Sequence, residues 1–349
     1  MRGERLSTVF LGILVVLALG TIMKIASDVV IPLALAILIS FIVSPIIRFL
    51  EKIKIPRTIA IVIVIILFFG LFYLVGLIIY ASAKSFIGQL PKYQEKFSVI
   101  VTTVTAELTK RFPVDMGNLE KINWLGALRS YLLSFSNSLL GFGSKLVIIT
   151  FFLVFLLSEK HYFKDKISAA FHSDMSSRIG AILSHINEQI ARYLSVKFFI
   201  SLITGILVWL SLSIIGLDFP IIWGTLAFFL NFIPNIGSSF IIFFTIVMSI
   251  IQFYPRWSPI TAVIITMVLV QLIMGNIIDP RMQGRRLDIS PFLILVSLIF
   301  WGWLWGIIGM FLSIPLTVII KIVCENVEFL HPISIIMSSG KVVRVSKEE

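Results

Sequence analysis

The chain has 349 residues, 58% of them hydrophobic and only 13% charged, whereas an average soluble domain carries about 25% charged residues. No water-soluble core could hide that much apolar surface, and the mean hydropathy of +1.04 reflects several runs long enough to cross a hydrocarbon layer about 30 Å thick. The formal net charge of +11 does not indicate nucleic acid, because Lys and Arg gather in short loops beside apolar runs, where anionic headgroups and topology account for them.

The basic start, Met1 to Arg5, and the apolar run 6–23 resemble the first two regions of a signal peptide. A small-x-small cleavage site is lacking and further apolar runs follow at once, so a retained transmembrane helix is expected. Full spans are predicted at 6–23, 29–47, 58–83, 138–158, 198–215 and 259–278. Between the second and third lie Arg48, Lys52, Lys54 and Arg57 against Glu51, which places that loop, and with it the N-terminus, in the cytoplasm of an inner-membrane protein.

In chain order, residues 1–83 hold helices one to three and residues 84–143 form an extracytoplasmic segment. Within it Phe97, Ile100, Val101, Val104 and Leu108 recur at helical spacing, so an amphipathic helix is expected to pack on the membrane domain or a neighbouring subunit, ending at Pro113. Helix four occupies 144–158, and 159–197 is a cytoplasmic amphipathic segment with Lys160, Lys164, Lys166, Arg178, Arg192 and Lys197. Its stripe of Ile179, Ile182, Leu183, Ile186, Ile190 and Leu194 is expected to rest on the membrane surface. Residues 198–323 form a transport core and 324–349 a cytoplasmic tail.

That core contains two apolar regions too long for one span and broken near the middle. The first, 220–251, is interrupted by Asn231-Phe-Ile-Pro-Asn-Ile-Gly-Ser238; the second, 291–322, by Trp301-Gly-Trp-Leu-Trp-Gly-Ile-Ile-Gly309. Leu217-Asp218-Phe219-Pro220 opens the first and Leu287-Asp288-Ile289-Ser290-Pro291 the second. An acid followed by proline is a helix-start signal, and its recurrence after a complete span reads as an internal repeat.

Charge sets the orientation of the repeats. The loop 279–288 carries Arg281, Arg285 and Arg286 and belongs in the cytoplasm, which requires the first broken region to turn back as a re-entrant hairpin. The second then enters from the cytoplasm and returns the C-terminal Lys341, Arg344 and Lys347 to it. The expected fold is an all-α polytopic integral membrane protein, six full spans plus two broken hairpins in inverted repeats, about eight transmembrane segments in all.

At the first break, Pro234 lacks an amide hydrogen and Gly237 tolerates positive φ, so backbone groups leave the helical ladder. Asn231, Asn235 and Ser238 offer uncharged donors and acceptors, suited to a neutral polar solute or to the freed backbone itself. Trp301, Trp303 and Trp305 could form interfacial rings or stack on a sugar-like solute, and Gly302, Gly306 and Gly309 could permit close helix packing.

Asn231-Phe-Ile-Pro-Asn-Ile-Gly237, Asp279-Pro-x-x-x-Gly284, Leu287-x-Ile-Ser-Pro291 and Trp301-Gly-x-x-x-Gly306, with Pro315-Leu beyond, resemble the AI-2E transporter family across essentially the whole chain. The resemblance implies export of a small polar signal such as autoinducer-2 and a homo-oligomer, a pentamer being the candidate stoichiometry. It also leaves open sodium–proton exchange, proposed for some members. The expected partners are therefore lipid, a small solute and further copies of the chain.

An antiporter needs a carboxylate within the hydrocarbon, and Asp28, Asp218, Asp279 and Asp288 all fall at predicted span ends. Asp279 is the best coupling candidate, although pairing with Arg281 as a helix terminus is the preferred reading of it. Enzymatic activity is not expected, because His161, His172, His185 and His331 sit in polar segments without a metal-binding pattern. No phosphate-binding loop is present, no cofactor is expected, and Cys324 reads as a small apolar residue.

Overall fold

The computed structural model describes residues 12, 14, 15, 18–111, 145–159, 162–234, 236–283 and 288–339. Most of the predicted first span, the start of the fourth, Val104 and Leu108 as side chains, Pro113, Asn235, Gly284, Arg285, Arg286 and the basic C-terminal residues lie outside that set.

The described elements are helical, and no strand occurs among them. Among the described residues, six helices are long and apolar enough to cross a membrane: Ser27–Lys52, Arg57–Thr103, Met175–Ile215, Ile236–Phe253, Trp257–Met282 and Pro291–Asn326. The chain is thus an all-α polytopic membrane protein, as expected. The six are not the expected six, however. Four coincide with predicted spans, whereas Ile236–Phe253 and Pro291–Asn326 belong to the two broken regions.

Exposed side chains explain why lipid must be the solvent. Ile66, Ile214, Phe243, Ile299 and Ile307 each leave well over half of their surface uncovered, and apolar patches on that scale are rare on soluble monomers.

The chain divides into two compact units that cut across chain order. One comprises Met1–Ile65, Lys145–Val196 and Gln283–Glu349, the other Ile66–Ser144 and Lys197–Met282. Each has its own core, and each contains one of the broken regions.

In the first unit, helix Ser27–Lys52 and the stripe from the start of helix Ser173–Ile215 gather around the region Pro291–Asn326. The stripe expected to lie on lipid faces protein instead. Ile190 and Leu194 are buried with Ile31, Leu38, Phe41, Trp301 and Trp305, and Ile182 and Ile186 pack against them. The same i, i+4 pattern serves a lipid surface or a protein core, so sequence could not separate the two. The segment also runs into the following span without a break, as one helix of 43 residues.

In the second unit, the later part of helix Arg57–Arg111 continues past the predicted end of the third span, with Pro91 inside it. Phe97, Ile100 and Val101 are half-buried on this extension. Val208, Leu212, Leu217, Ile241, Met248, Ile260, Val263 and Met267 form this unit's core.

Close helix contact there depends on two glycines facing each other. A Cβ on Gly224 would lie 2.6 Å from Trp209 Cβ and 2.7 Å from the Gly205 carbonyl, so helix Pro220–Leu230 can approach helix Ser173–Ile215 only without that carbon.

Candidate functional site

Both broken regions fold back on themselves. Pro220 begins helix Pro220–Leu230, a turn over 231–234 follows, and helix Ile236–Phe253 returns. The base of this hairpin is closed by Gln252, which donates to the Gly216 carbonyl at 2.8 Å and accepts from the Asp218 amide at 2.7 Å. Its tip is closed by Gly237, where a Cβ would lie 1.7 Å from the Leu230 carbonyl oxygen. Backbone touches backbone at that point.

The second region looks like one helix of 36 residues, but Gly306 has φ 64°, ψ −143° and turns the chain. That conformation is nearly forbidden to residues with a Cβ. Gly309 then packs where a Cβ would lie 1.9 Å from the Trp301 carbonyl oxygen, and Gly302 would meet Met310 at 2.9 Å. Farther from the tip, Ser297 Oγ donates to the Ser313 carbonyl at 3.2 Å and bonds the Thr317 hydroxyl.

The prolines start helices as predicted, but the preceding acids do not cap them. Asp218 accepts from Tyr93 Oη at 2.6 Å, while Lys96 Nζ donates to the Gln252 carbonyl at 2.6 Å. The extension of helix Arg57–Arg111 therefore clamps the base of the first hairpin. Asp288, with φ 38°, accepts from Lys321 Nζ at 3.4 Å and from the Ser339 amide at 3.2 Å and hydroxyl. Lys321 also reaches the Asp288 carbonyl at 2.9 Å and Glu325 at 3.3 Å. Burial by itself would raise the Asp288 carboxyl, but the Ser339 hydroxyl and amide and the Lys321 ammonium outweigh it, holding the group below the usual carboxylate range.

Among the predicted tip residues, Asn231 Nδ2 donates to Ser201 Oγ at 3.0 Å. Ser201 is fully buried. Pro234 and Ser238 are half-buried and Gly237 is buried. Trp301 and Trp305 are buried in the first unit's core with ring centroids 5.1 Å apart, and Trp305 Nε1 donates to the Met23 carbonyl at 3.1 Å. Their ring faces are covered by protein. Trp303 is exposed, with Lys24 Nζ 4.3 Å from its ring centroid. Asp279 pairs with Lys197 at 2.8 Å, and Arg281 is exposed.

Lys197 was read only as a cation of the cytoplasmic segment, and Lys321 and the hydroxyls of Ser201, Ser297 and Thr317 were not singled out in the sequence. A signal for some of them was present. Gly309, Ser313, Thr317, Lys321 and Glu325 recur every fourth residue, as do Gly237, Ile241, Thr245 and Ser249. Starting both series from the tip glycine puts a polar seam on the inner face of each returning helix, and Thr245, Ser249, Ser313 and Thr317 are buried. Glycine at the crossing followed by hydroxyls lets two helices pack closely while their polar groups bond within the seam rather than face lipid.

The Asn231–Ser201 contact predicts a measurable coupling. In a double-mutant cycle of Asn231→Ala and Ser201→Ala, read by unfolding in detergent, the two changes are expected to be non-additive by about 1 kcal/mol. Strict additivity would show that no such bond forms.

The model of the AI-2E family transporter matches residues 11–329. A relative in Borreliella burgdorferi, named as a candidate transport protein, is 40% identical over 343 residues, 98% of this chain and 94% of the relative. A similarly named protein of Haemophilus influenzae is 33% identical over 90% of this chain and 92% of its own length. The AI-2 transport protein TqsA of Escherichia coli is 28% identical over 95% of this chain and 94% of its own. Two glycine-crossed hairpins in an all-helical membrane chain, and matches spanning nearly its whole length, lead to one conclusion: the chain belongs to the AI-2E family of membrane transporters.

Proposed function

We propose that this transporter exports a small, uncharged polar solute of the autoinducer-2 kind across the bacterial inner membrane, with both termini in the cytoplasm and several copies in the assembly. The observation that carries the reading is the pair of hairpins. Each is broken by small or polar residues at its tip; the first carries the Asn231 amide there and both contain hydroxyls, groups that recognise a hydroxylated solute without charge. The AI-2 transport named for the Escherichia coli relative supports the solute class.

Inverted membrane vesicles should accumulate AI-2 when they contain the protein and not when they lack it, within a panel of small polar solutes and with or without a proton gradient. If no member of the panel accumulates, the export reading fails. Cation–proton antiport is the second reading, favoured by the Lys197–Asp279 and Lys321–Asp288–Glu325 groups within largely apolar surroundings. Sodium-driven proton movement in those vesicles without any solute would put it first.

Topology has its own test. Cysteines at the exposed Ser258 and Met282, the two ends of the span Trp257–Met282, should react with an impermeant thiol reagent from outside and inside respectively. The native Cys324 is buried and should leave a low background. Reaction of both cysteines from one side would remove the inverted arrangement.

A further inference from the structure

Within the second unit, one face of helix Ser173–Ile215 carries two buried polar contacts a turn apart. Lys197 Nζ holds Asp279 Oδ2 at 2.8 Å, with only 5% and 17% of the two side chains exposed. Four residues on, Ser201 holds Asn231 at the hairpin tip. Residues at i and i+4 on a helix are neighbours, so the ion pair and the tip contact form one continuous polar track.

Stability alone gives little reason to keep such a pair. Desolvating two charges costs several kcal/mol per ion, and apolar residues of similar size usually serve as well or better. Ionisable residues that pair within spanning segments mark proton or ion paths, and the spans Met175–Ile215 and Trp257–Met282 contain Lys197 and Asp279.

The backbone before Asp279 adds an independent observation. Residues Gln271–Ile278 form a π-helical stretch that passes directly into Asp279–Gln283. Wide turns of this kind are rare and concentrate at functional sites. Converting part of the stretch to α geometry exchanges hydrogen-bond partners rather than abolishing them, and it rotates Asp279 relative to Lys197.

Among the described residues, the neighbouring elements contribute few charges. The first hairpin, Pro220 to Phe253, has no titratable side chain. On helix Arg57–Arg111 the apolar stretch 66–83 has only the exposed Tyr73 and Tyr80. Arg192 and Arg281, the nearest charges along the two helices that bear the pair, are exposed.

We propose that Lys197 and Asp279 are the proton-carrying pair that couples this transporter to the proton gradient, a proposal that rests on the export reading. A proton from one side adds to the Asp279 carboxylate, forming an O–H bond as the ion pair opens. On the other side that O–H bond breaks, the proton leaves, and the Lys197 ammonium re-forms the pair. The Ser201–Asn231 contact, one turn away, passes the rearrangement to the hairpin tip.

The test uses full-length protein in liposomes with AI-2 as probe, and three variants: Asp279→Asn, Lys197→Met, and the apolar pair Lys197→Met/Asp279→Leu, which avoids an unpaired buried charge. In the apolar pair, exchange of AI-2 without a gradient should stay within about twofold of wild type, while accumulation driven by a pH gradient should fall about tenfold or more. Gradient-driven accumulation that persists in the apolar pair overturns the proposal. A second readout needs no solute: infrared difference spectra between acid and neutral pH should show a carboxylic-acid C=O band that Asp279→Asn removes. If the band is absent in wild type or survives the substitution, Asp279 does not carry the proton. A band that behaves as expected in a protein that moves no AI-2 would instead count against the choice of solute.

Discussion

Replacing Gly309 by alanine is expected to force the arms of the second hairpin apart and to abolish transport. The added carbon would stand 1.9 Å from the Trp301 carbonyl oxygen and 3.0 Å from Trp305 Cβ. A flexible side chain could swing away, but a backbone carbonyl held in a helix cannot. Overpacking typically costs 1–3 kcal/mol; with backbone on both sides of the contact, about 3 kcal/mol is expected. The loss should appear as a lower midpoint of thermal unfolding in detergent and as exposure of the buried Trp301 and Trp305 to fluorescence quenchers.

Gly237→Ala should behave the same way in the first hairpin, where the Leu230 carbonyl would be 1.7 Å away. Gly12, Gly20, Gly70 and Gly76 have no atom within 4 Å of the position a Cβ would take, so Gly70→Ala serves as a neutral control. If Gly309→Ala unfolds and transports like that control, the hairpin does not close as described.

Substituting methionine for Lys321 is the second change expected to do large damage. Its ammonium lies between Asp288 and Glu325, with 8% of the side chain exposed. Removing it takes the shared ammonium away from both carboxylates. Breaking a buried pair from one side costs about 3–5 kcal/mol, and the lower end applies because Glu325 is partly open to solvent. The C-terminal helix His331–Met337 should loosen as well, because it is tied to the same carboxylate through Ser339 and to the Ser290 amide through the Met337 carbonyl. Protease cleavage near residues 328–339 reports that loosening.

The pH dependence of this clamp has a definite sign. Asp288 is held below its ordinary range, so it contributes stability above that range and loses it as pH falls through the lowered value. The wild type should keep its C-terminal helix protected at a pH where Lys321→Met has already released it. Restored protection in Lys321→Met/Asp288→Asn/Glu325→Gln would confirm that unpaired charge, rather than lost packing, causes the damage. Equal acid sensitivity in wild type and Lys321→Met would reject the clamp.

Sequence by itself determined the membrane class and the two interrupted hairpins. Both follow from composition and from helix-breaking residues placed within apolar runs, which are local properties. The Asp–Pro entrances, the Asn231–Gly237 tip and the break within 301–309 were legible because proline and glycine interrupt a helix locally, but that the second turn falls at Gly306 came from the structure. Partners were not legible. A lysine reads as a loop cation until the fold shows what faces it, and only the tertiary structure brought Lys197 to Asp279 across 82 residues and Lys321 to Asp288 across 33. It likewise decided that Ile182, Ile186, Ile190 and Leu194 of the stripe cover a protein core rather than lipid, and that Trp301 and Trp305 are packed together. Amphipathic spacing and aromatic content say that a face will be covered; what covers it depends on contacts between residues far apart in the chain.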